Sequence, residues 1–494
     1  MSGRVRIELQ PLGKTLEVAR GTPLVDVLFP YGVEFPCGGR GRCKRCKVRV
    51  LEGALGATEQ ERGVLSAGEL AAGWRLACHA RAEADCALEI AQWETTILAD
   101  DSTFAFTPRE GLGVAVDLGT TTLVAQLLDL RTARVLGVRT ALNPQVKRGA
   151  DVMSRVEFAL RGGQRELEQA IRAEIGTLVR KLAPAEPVVE IAIVGNTVMH
   201  HLFCGVDVEP LAHVPFEPVN DGLMEFHASG LGWTVPGDPV VRFLPCLGGF
   251  VGSDILAGVL ATRMHERTGL AMLLDLGTNG EIVAGNRERL VCASTAAGPA
   301  FEGGRIGMGM RAATGAISEV ALENGGMRFH VLGHGTARGI CGSGLVDAVA
   351  AALELGLVKA SGRMAGGAKT LPLTGAVALA QADIRELQLA KAATAAGVEI
   401  VLRRLGARAE ELERVYLAGA FGNYLNRASA ERIGLINLDA EMVEPAGNTA
   451  LVGAKLALYG GVDYAGLRAR VEHVPLGADP EFQDRYIEAM AFPE

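Results

Sequence analysis

The chain has 494 residues, of which 49% are apolar and 21% charged, with a formal net charge of −8. That length exceeds what one hydrophobic core serves, so two to four domains are expected, and the acidic balance argues against a nucleic-acid partner. No apolar run reaches the roughly 18 residues of a membrane span, and the opening MSGRVRIELQ alternates like a strand rather than a secretory signal.

Residues 1–93 read as strands and turns with one short helix. RVRIELQPLGKTLEVARG alternates as two strands, after which Thr22 is expected to cap a helix with Pro23 at its first position and an apolar face on VDVL. The stretch FPCGGRGRCKRCKVRV then places Cys37, Cys43 and Cys46 in a C-x5-C-x2-C spacing, and Cys78 follows in RLACHA. A short Gly-rich loop bends tightly enough to aim several thiolates at one centre, and a remote fourth cysteine closes the shell. A four-cysteine zinc site usually shows two C-x2-C halves, and only Cys43 and Cys46 form one here. Cys86 in DCALEI competes for the fourth place, although its alternating run also suits a thiol in a core strand. Nine cysteines, four of them so arranged, fit a reducing compartment, and a cytoplasmic location is expected. The strands KVRVLEG and CALEIAQWE complete the segment. Plant-type [2Fe–2S] ferredoxins use the neighbouring spacing C-x4-C-x2-C with a remote cysteine. The hairpin-then-helix order resembles their β-grasp fold, and the resemblance implies that Cys37, Cys43, Cys46 and Cys78 hold a [2Fe–2S] cluster. The loop is also basic, with Arg40, Arg42, Lys44, Arg45, Lys47 and Arg49 against Glu34 alone. It is either a solvated loop or a docking rim for an acidic electron donor or client.

Residues 94–113 lose periodicity and read as a short linker. From Val114 the texture becomes α/β. VAVDLGTTTLVAQLLDL is a strand, a Gly/Thr turn and a second strand, with RVLGVRTA as a third, and AMLLDLGTNGEIVAG repeats the arrangement. Both turns begin Asp-Leu-Gly-Thr, at Asp117 and Asp275. A glycine turn lets backbone N–H groups approach phosphate oxygens, hydroxyls add donors, and an aspartate at a strand end can orient Mg²⁺ with its water shell. A third stretch, ERVYLAGAFGNYL, carries Gly419, Ala420, Phe421 and Gly422 between a strand and a helix, where small residues would let adenosine lie against the backbone. No G-x-x-x-x-G-K-[ST] loop occurs. The three stretches resemble the phosphate-1, phosphate-2 and adenosine motifs of the acetate and sugar kinase, heat-shock ATPase and actin superfamily. That resemblance implies a two-lobed α/β actin-like ATPase, with lobe one over 114–268 and lobe two over 269–494. Mg-ATP would be held by Asp117, Gly119, Thr120, Thr121 and Thr122, by Asp275, Gly277, Thr278, Asn279 and Gly280, and beside the adenosine stretch.

NPQVKRGADVMSR, IVGNTVMHHLF, AGPAFEGG, GICGSGLVDAV and GNTALVGAKLAL all resemble the reductive activators of corrinoid proteins, which pair an N-terminal [2Fe–2S] domain with such an ATPase. The resemblance implies a multidomain chain, a β-grasp ferredoxin-like domain ahead of the ATPase. Its expected function is the ATP-dependent return of Co(II) to Co(I) in a cobalamin-dependent methyltransferase or corrinoid protein. The electron would come from a donor such as ferredoxin or flavodoxin, and relatives imply a homodimer. A plant-type centre works at about −400 mV, so transfer to Co(II) is expected to be uphill, and each ~59 mV of shortfall costs a factor of ten. Asp117, Asp275 and Glu281 are the expected catalytic residues, Glu281 by positioning water or by bracing its loop. Gly195 and Asn196 lie either at the nucleotide or in a strand-to-helix turn. His200 and His201 read as helix packing and surface, and Cys204, Cys246, Cys292 and Cys341 as buried thiols. A redox-regulated small-molecule kinase and an electron-transfer adaptor with a non-hydrolysing platform are the rival readings.

Overall fold

The computed structural model describes residues 3–10, 14–28, 31, 33, 46–90, 106–149, 151–183, 185–277, 279–310, 312, 315–332, 336–422, 425–436, 438 and 440–494. Cys37 and Cys43, most of the basic loop, residues 94–105 of the expected linker and Thr278 lie outside them.

At the N-terminal end, Arg4–Gln10 buries alternate residues, including Ile7 and Leu9, as period-2 patterning requires. It pairs antiparallel with Lys14–Ala19 and parallel with Cys86–Glu89, inside a five-stranded sheet that continues through Lys47–Gly53 to Trp74–Leu76. A first strand lying parallel to the last, with a helix packed beneath, is the β-grasp arrangement. Thr22 and Pro23 do not cap the helix. They form a two-residue strand paired with Arg81–Ala82, and the helix begins at Leu24. The Leu24 amide donates to the Ala80 carbonyl at 2.9 Å, so pairing to a distant strand overrides local capping chemistry.

The rest of the chain contains two six-stranded sheets with a shared plan. In one, Leu112–Leu118, Thr122–Asp129 and Arg134–Leu142 form an antiparallel meander, and Val188–Gly195 joins the first strand in parallel. In the other, Leu270–Leu276, Gly280–Gly285 and Leu290–Thr295 repeat the meander, and Leu412–Ala418 joins in parallel. Each Asp-Leu-Gly-Thr turn joins the first two strands of its meander. The first sheet is covered on both faces. The helix Gln164–Leu182 places Leu167, Ile171, Ile175, Leu178 and Val179 against one face, and the helices Ser253–Thr262 and Thr449–Ala457 cover the other.

By packing, two compact units form, one of Met1–Arg263 with Asn448–Ala469, the other of Met264–Gly447 with Arg470–Glu494. The segment Asn448–Ala469, inside the expected run 269–494, packs within the first unit. The cause is packing: Leu451 and Ala454 share a core with Ala115, Ala192, Val194 and Ala257. The linker also ends earlier than residue 113. The first strand opens at Leu112, Arg109 ion-pairs with Glu190 at 2.8 Å, and the Phe106 and Tyr459 rings lie 4.9 Å apart. No described helix is long and apolar enough to cross a membrane.

The crossing of Thr449–Ala457 over Ser253–Thr262 depends on Gly453, where a Cβ would stand 2.2 Å from the Ala257 carbonyl oxygen. Gly453→Ala is expected to cost about 1–3 kcal/mol by overpacking. Gly230→Ala, with open space around it, stays within about 0.5 kcal/mol. Urea unfolding followed by circular dichroism measures both.

Candidate functional site

Cys46 is buried at the start of the strand Lys47–Gly53, and Cys78 sits in the turn after Trp74–Leu76. The register Lys47↔Leu76 and a bond from the Ala77 amide to the Cys46 carbonyl (2.9 Å) bring the two cysteines together. Buried Glu61 fixes the incoming strand by accepting from the Leu76 amide at 2.6 Å. The two Sγ atoms stand 3.2 Å apart. A disulfide would need about 2.05 Å, whereas two thiolates on one tetrahedral metal with ~2.3 Å bonds lie roughly 3.7 Å apart. The pair fits a shared metal after a small outward shift. Cys86 lies within the sheet opposite Ile7 and Gly53, where burial raises its thiol pKa. Of the basic residues, Lys47 pairs with Glu69 at 2.9 Å and Arg49 with Glu89 at 3.5 Å, so neither is a free charge.

The first Asp-Leu-Gly-Thr turn has an unusual hydrogen-bond pattern. The Gly119 carbonyl accepts from Asn143 Nδ2 (3.0 Å), that of Thr120 from Arg155 Nη2 (2.5 Å), and that of Thr121 from the Asn143 amide (2.9 Å). In a planar trans peptide the N–H points opposite to the C=O. The amides of Thr120, Thr121 and Thr122 therefore point away from Asn143 and Arg155, and those of Thr120 and Thr121 donate to no described residue. Successive amides presented on one side make an anion-binding concavity. The Thr120 hydroxyl accepts from Asn196 Nδ2 at 2.9 Å, which leaves its own proton to donate. Asn196 also caps the helix Thr197–Cys204 through Met199, and Gly195 aligns with Leu118. Gly195–Asn196 is thus the strand-to-helix turn, and Asn196 also reaches the first Asp-Leu-Gly-Thr turn. Asp117, at the strand end, accepts from Asn448 Nδ2 at 2.9 Å; burial pushes its carboxyl up to about 6, with that hydrogen bond opposing. Thr122 opens the next strand with an exposed side chain.

In the second unit, Asp275 closes its strand directly opposite Glu281, and Ser294 donates to Glu281 at 3.4 Å. Opposed residues of antiparallel strands share a face, so the two carboxylates project to the same side. The Gly277 amide donates to the Asn279 carbonyl at 2.9 Å, which closes the turn ahead of Gly280. Gly419 has φ +78°, and a Cβ there would lie 2.5 Å from Asp275 Oδ1, so this position requires glycine twice over. The short helix Gly419–Gly422 follows, with Phe421 stacked on Phe301 (centroids 4.6 Å, planes 19° apart). The Phe421 ring is committed to the core, and only backbone and small residues of this stretch remain to face a ligand.

His200 and His201 are both interior, contrary to the surface reading. His200 Nε2 meets the Gly222 carbonyl at 3.0 Å and His201 Nδ1 that of Thr197 at 2.9 Å, and burial pushes the His200 pKa down to about 4. Asn143, Arg155, Asn448 and Phe301 were not singled out from sequence. All four lie in stretches that were, and for Asn143, Arg155 and Asn448 the available signal was a polar side chain inside a turn-forming or apolar segment.

Three family descriptions match the chain in order. They are a 2Fe-2S iron-sulfur cluster binding domain over residues 7–83, the "RACo middle region" over 112–267, and the "C-terminal domain of RACo the ASKHA domain" over 269–494. The "Corrinoid activation enzyme RamQ" of Eubacterium limosum is 34% identical over 415 residues, spanning 76% of this chain and 69% of that protein. The "[Co(II) methylated amine-specific corrinoid protein] reductase" of Methanosarcina barkeri is 28% identical over 375 residues, 69% of each. A solved structure described as "Reductive activator for corrinoid,iron-sulfur protein" matches at 26% identity with a TM-score of 0.70, covering 99% of this chain and 98% of that one. Two thiols brought together at the cysteine motif, a turn lined with unclaimed amides, and relatives matched over more than two thirds of the chain agree: this chain belongs to the family of reductive activators of corrinoid proteins.

Proposed function

We propose that this chain returns a Co(II) corrinoid protein to Co(I) by ATP-dependent delivery of one electron from its N-terminal domain. The observation that carries the reading is the pairing, in one chain, of two thiols 3.2 Å apart with a phosphate-type turn whose carbonyls are all drawn back. When bound, a [2Fe–2S] cluster supplies one-electron chemistry, at about −400 mV in plant-type ferredoxins. In this reading Cys37, Cys43, Cys46 and Cys78 would hold it. The Cys46–Cys78 pair is anchored by the strand register on one flank and by Glu61 on the other, which keeps the ligand geometry fixed while charge changes.

The nucleotide's phosphates lie against the amides of Thr120 and Thr121 and the Thr120 hydroxyl. Asp117, held in direction by Asn448, would hold Mg²⁺ through its water shell, and Asp275 ends the equivalent strand of the second unit. Glu281, on the same face as Asp275, orients the attacking water. Gly419 and Gly422 border adenosine. ATP biases the electron transfer only through a difference in affinity for two states of the chain, and the nucleotide turns are where that difference arises. A low-potential ferredoxin or flavodoxin in the cytoplasm is the donor. The other basic residues of the cysteine loop, Arg40, Arg42, Lys44 and Arg45, are the proposed docking rim.

The direct experiment is anaerobic optical spectroscopy of a Co(II) corrinoid protein with the holo-protein, reductant and Mg-ATP. Co(I) should form only with ATP present, and Cys78→Ser should abolish it; Co(I) forming at the same rate without ATP refutes the coupling. Cys78→Ser is expected to lose or shift the visible iron–sulfur absorption, while Cys86→Ser keeps it. The reverse outcome exchanges the two roles. The raised pKa of Asp117 gives a third prediction. Its charge is present above about pH 6 and lost below it. Mg-ATP affinity should therefore weaken as pH falls through 6, approaching about tenfold per unit, and Asp117→Asn should remove that slope in calorimetric titrations at pH 5 to 8.

A further inference from the structure

Arg155 is fully buried on the helix Val152–Phe158, directly behind the first phosphate turn. Its hydrogen bonds go to neutral groups: the Thr120 carbonyl at 2.5 Å, the Gly149 carbonyl at 2.9 Å, Gln145 Oε1 at 3.3 Å and Met199 Sδ at 3.5 Å. It forms no ion pair with a described residue, and the nearest countercharge acting on it is that of Asp151. Burial draws its pKa down to about 10, so it stays protonated at neutral pH. A desolvated guanidinium without a salt-bridge partner is costly, and an apolar side chain of similar size would fill the same space more cheaply. The support around it is specific. Gln145 is itself buried and anchored to the Leu167 carbonyl at 3.0 Å, so its amide oxygen is turned toward Arg155.

The Thr120–Thr121 peptide links this charge to the ligand side. Arg155 holds its carbonyl, and the Thr121 amide on the other edge of the same plane faces the opposite way. The guanidinium therefore lies one peptide unit behind a concavity that accepts anions, in surroundings where charge is weakly screened. We propose that Arg155 is a positioning residue for the nucleotide's phosphates, fixing the turn from behind and supplying the positive charge that favours polyphosphate over the neutral nucleoside. The proposal rests on the ATP reading above and adds to it the source of phosphate selectivity. The ion-pair partner that Arg155 lacks among the described residues is, in this proposal, the ligand's phosphates.

The test is calorimetric titration of the full holo-chain with Mg-ATP, Mg-ADP and adenosine, using competition against ATP for weak ligands. Arg155→Met removes the charge and keeps much of the volume. It is expected to weaken ATP by on the order of tenfold or more, ADP by less and adenosine hardly at all. Arg155→Lys keeps the charge, and its preference for ATP over adenosine should stay within about threefold of the parent chain's. ATP affinity unchanged in Arg155→Met overturns the proposal, and so does an equal loss for ATP and adenosine, which marks a merely structural role. Should Arg155→Met fail to fold, the lysine variant decides: a preference collapsing toward that of the bare nucleoside overturns the role of charge. A parent chain that binds no Mg-ATP overturns the nucleotide reading itself, a result distinct from either variant outcome.

Discussion

Three consecutive carbonyls, of Gly119, Thr120 and Thr121, face backward because Asn143 and Arg155 hold them there. Peptide planarity converts that restraint into a row of amides facing forward. The remainder of the first unit supports the arrangement. The meander places the turn at the end of a buried strand, Asn196 ties the Thr120 hydroxyl to the next helix, and Asn448 sets the direction of Asp117. Each of these groups also does ordinary structural work, capping a helix or closing a turn. The binding surface is thus built from the same bonds that stabilise the fold, and it is in place before any ligand arrives.

The second unit repeats the meander but finishes the turn differently. Where Asp117 is directed by an asparagine, Asp275 is approached by the backbone at Gly419, close enough that no side chain fits. The stacked pair Phe301 and Phe421 then fixes the strand-to-helix turn from below. One half uses side-chain amides to shape its site and the other uses the removal of side chains. Equivalent positions in the two halves therefore differ in what a substitution would do: truncating Asn448 loosens a carboxylate, whereas adding a methyl at Gly419 pushes one aside.

The cysteine motif, the two Asp-Leu-Gly-Thr turns and the α/β texture were legible because they are written in short spacings. Cys78 could be ranked over Cys86 from sequence because alternation marks Cys86 as a strand residue, and the sheet places it there. The bracing groups were not legible in the same way. Asn143 meets Gly119 across 24 residues and Arg155 meets Thr120 across 35, and neither separation corresponds to any helical or strand period. The packing of Thr449–Ala457 was hidden for a related reason. The apolar face of Thr449–Ala457 shows that the helix packs on something, and nothing in its own residues names Ser253–Thr262 as the partner. The misread cap at Thr22 shows long-range strand pairing prevailing over a local signal.

The return of Asn448–Ala469 to the first unit has a bearing on how the chain comes to be folded at all. Asp117 and the amide that directs it are separated by 331 residues, and a helix that helps to cover one face of the first sheet is made that long after the sheet's first strand. As the chain leaves the ribosome, the first sheet must wait with that face only partly covered, by Ser253–Thr262, until Thr449–Ala457 has emerged. The two units are consequently interleaved in time although separate in packing. A fragment ending after Arg263 is not a free-standing lobe but a sheet missing its lid, and dividing the protein for expression would require a circular permutation rather than a cut.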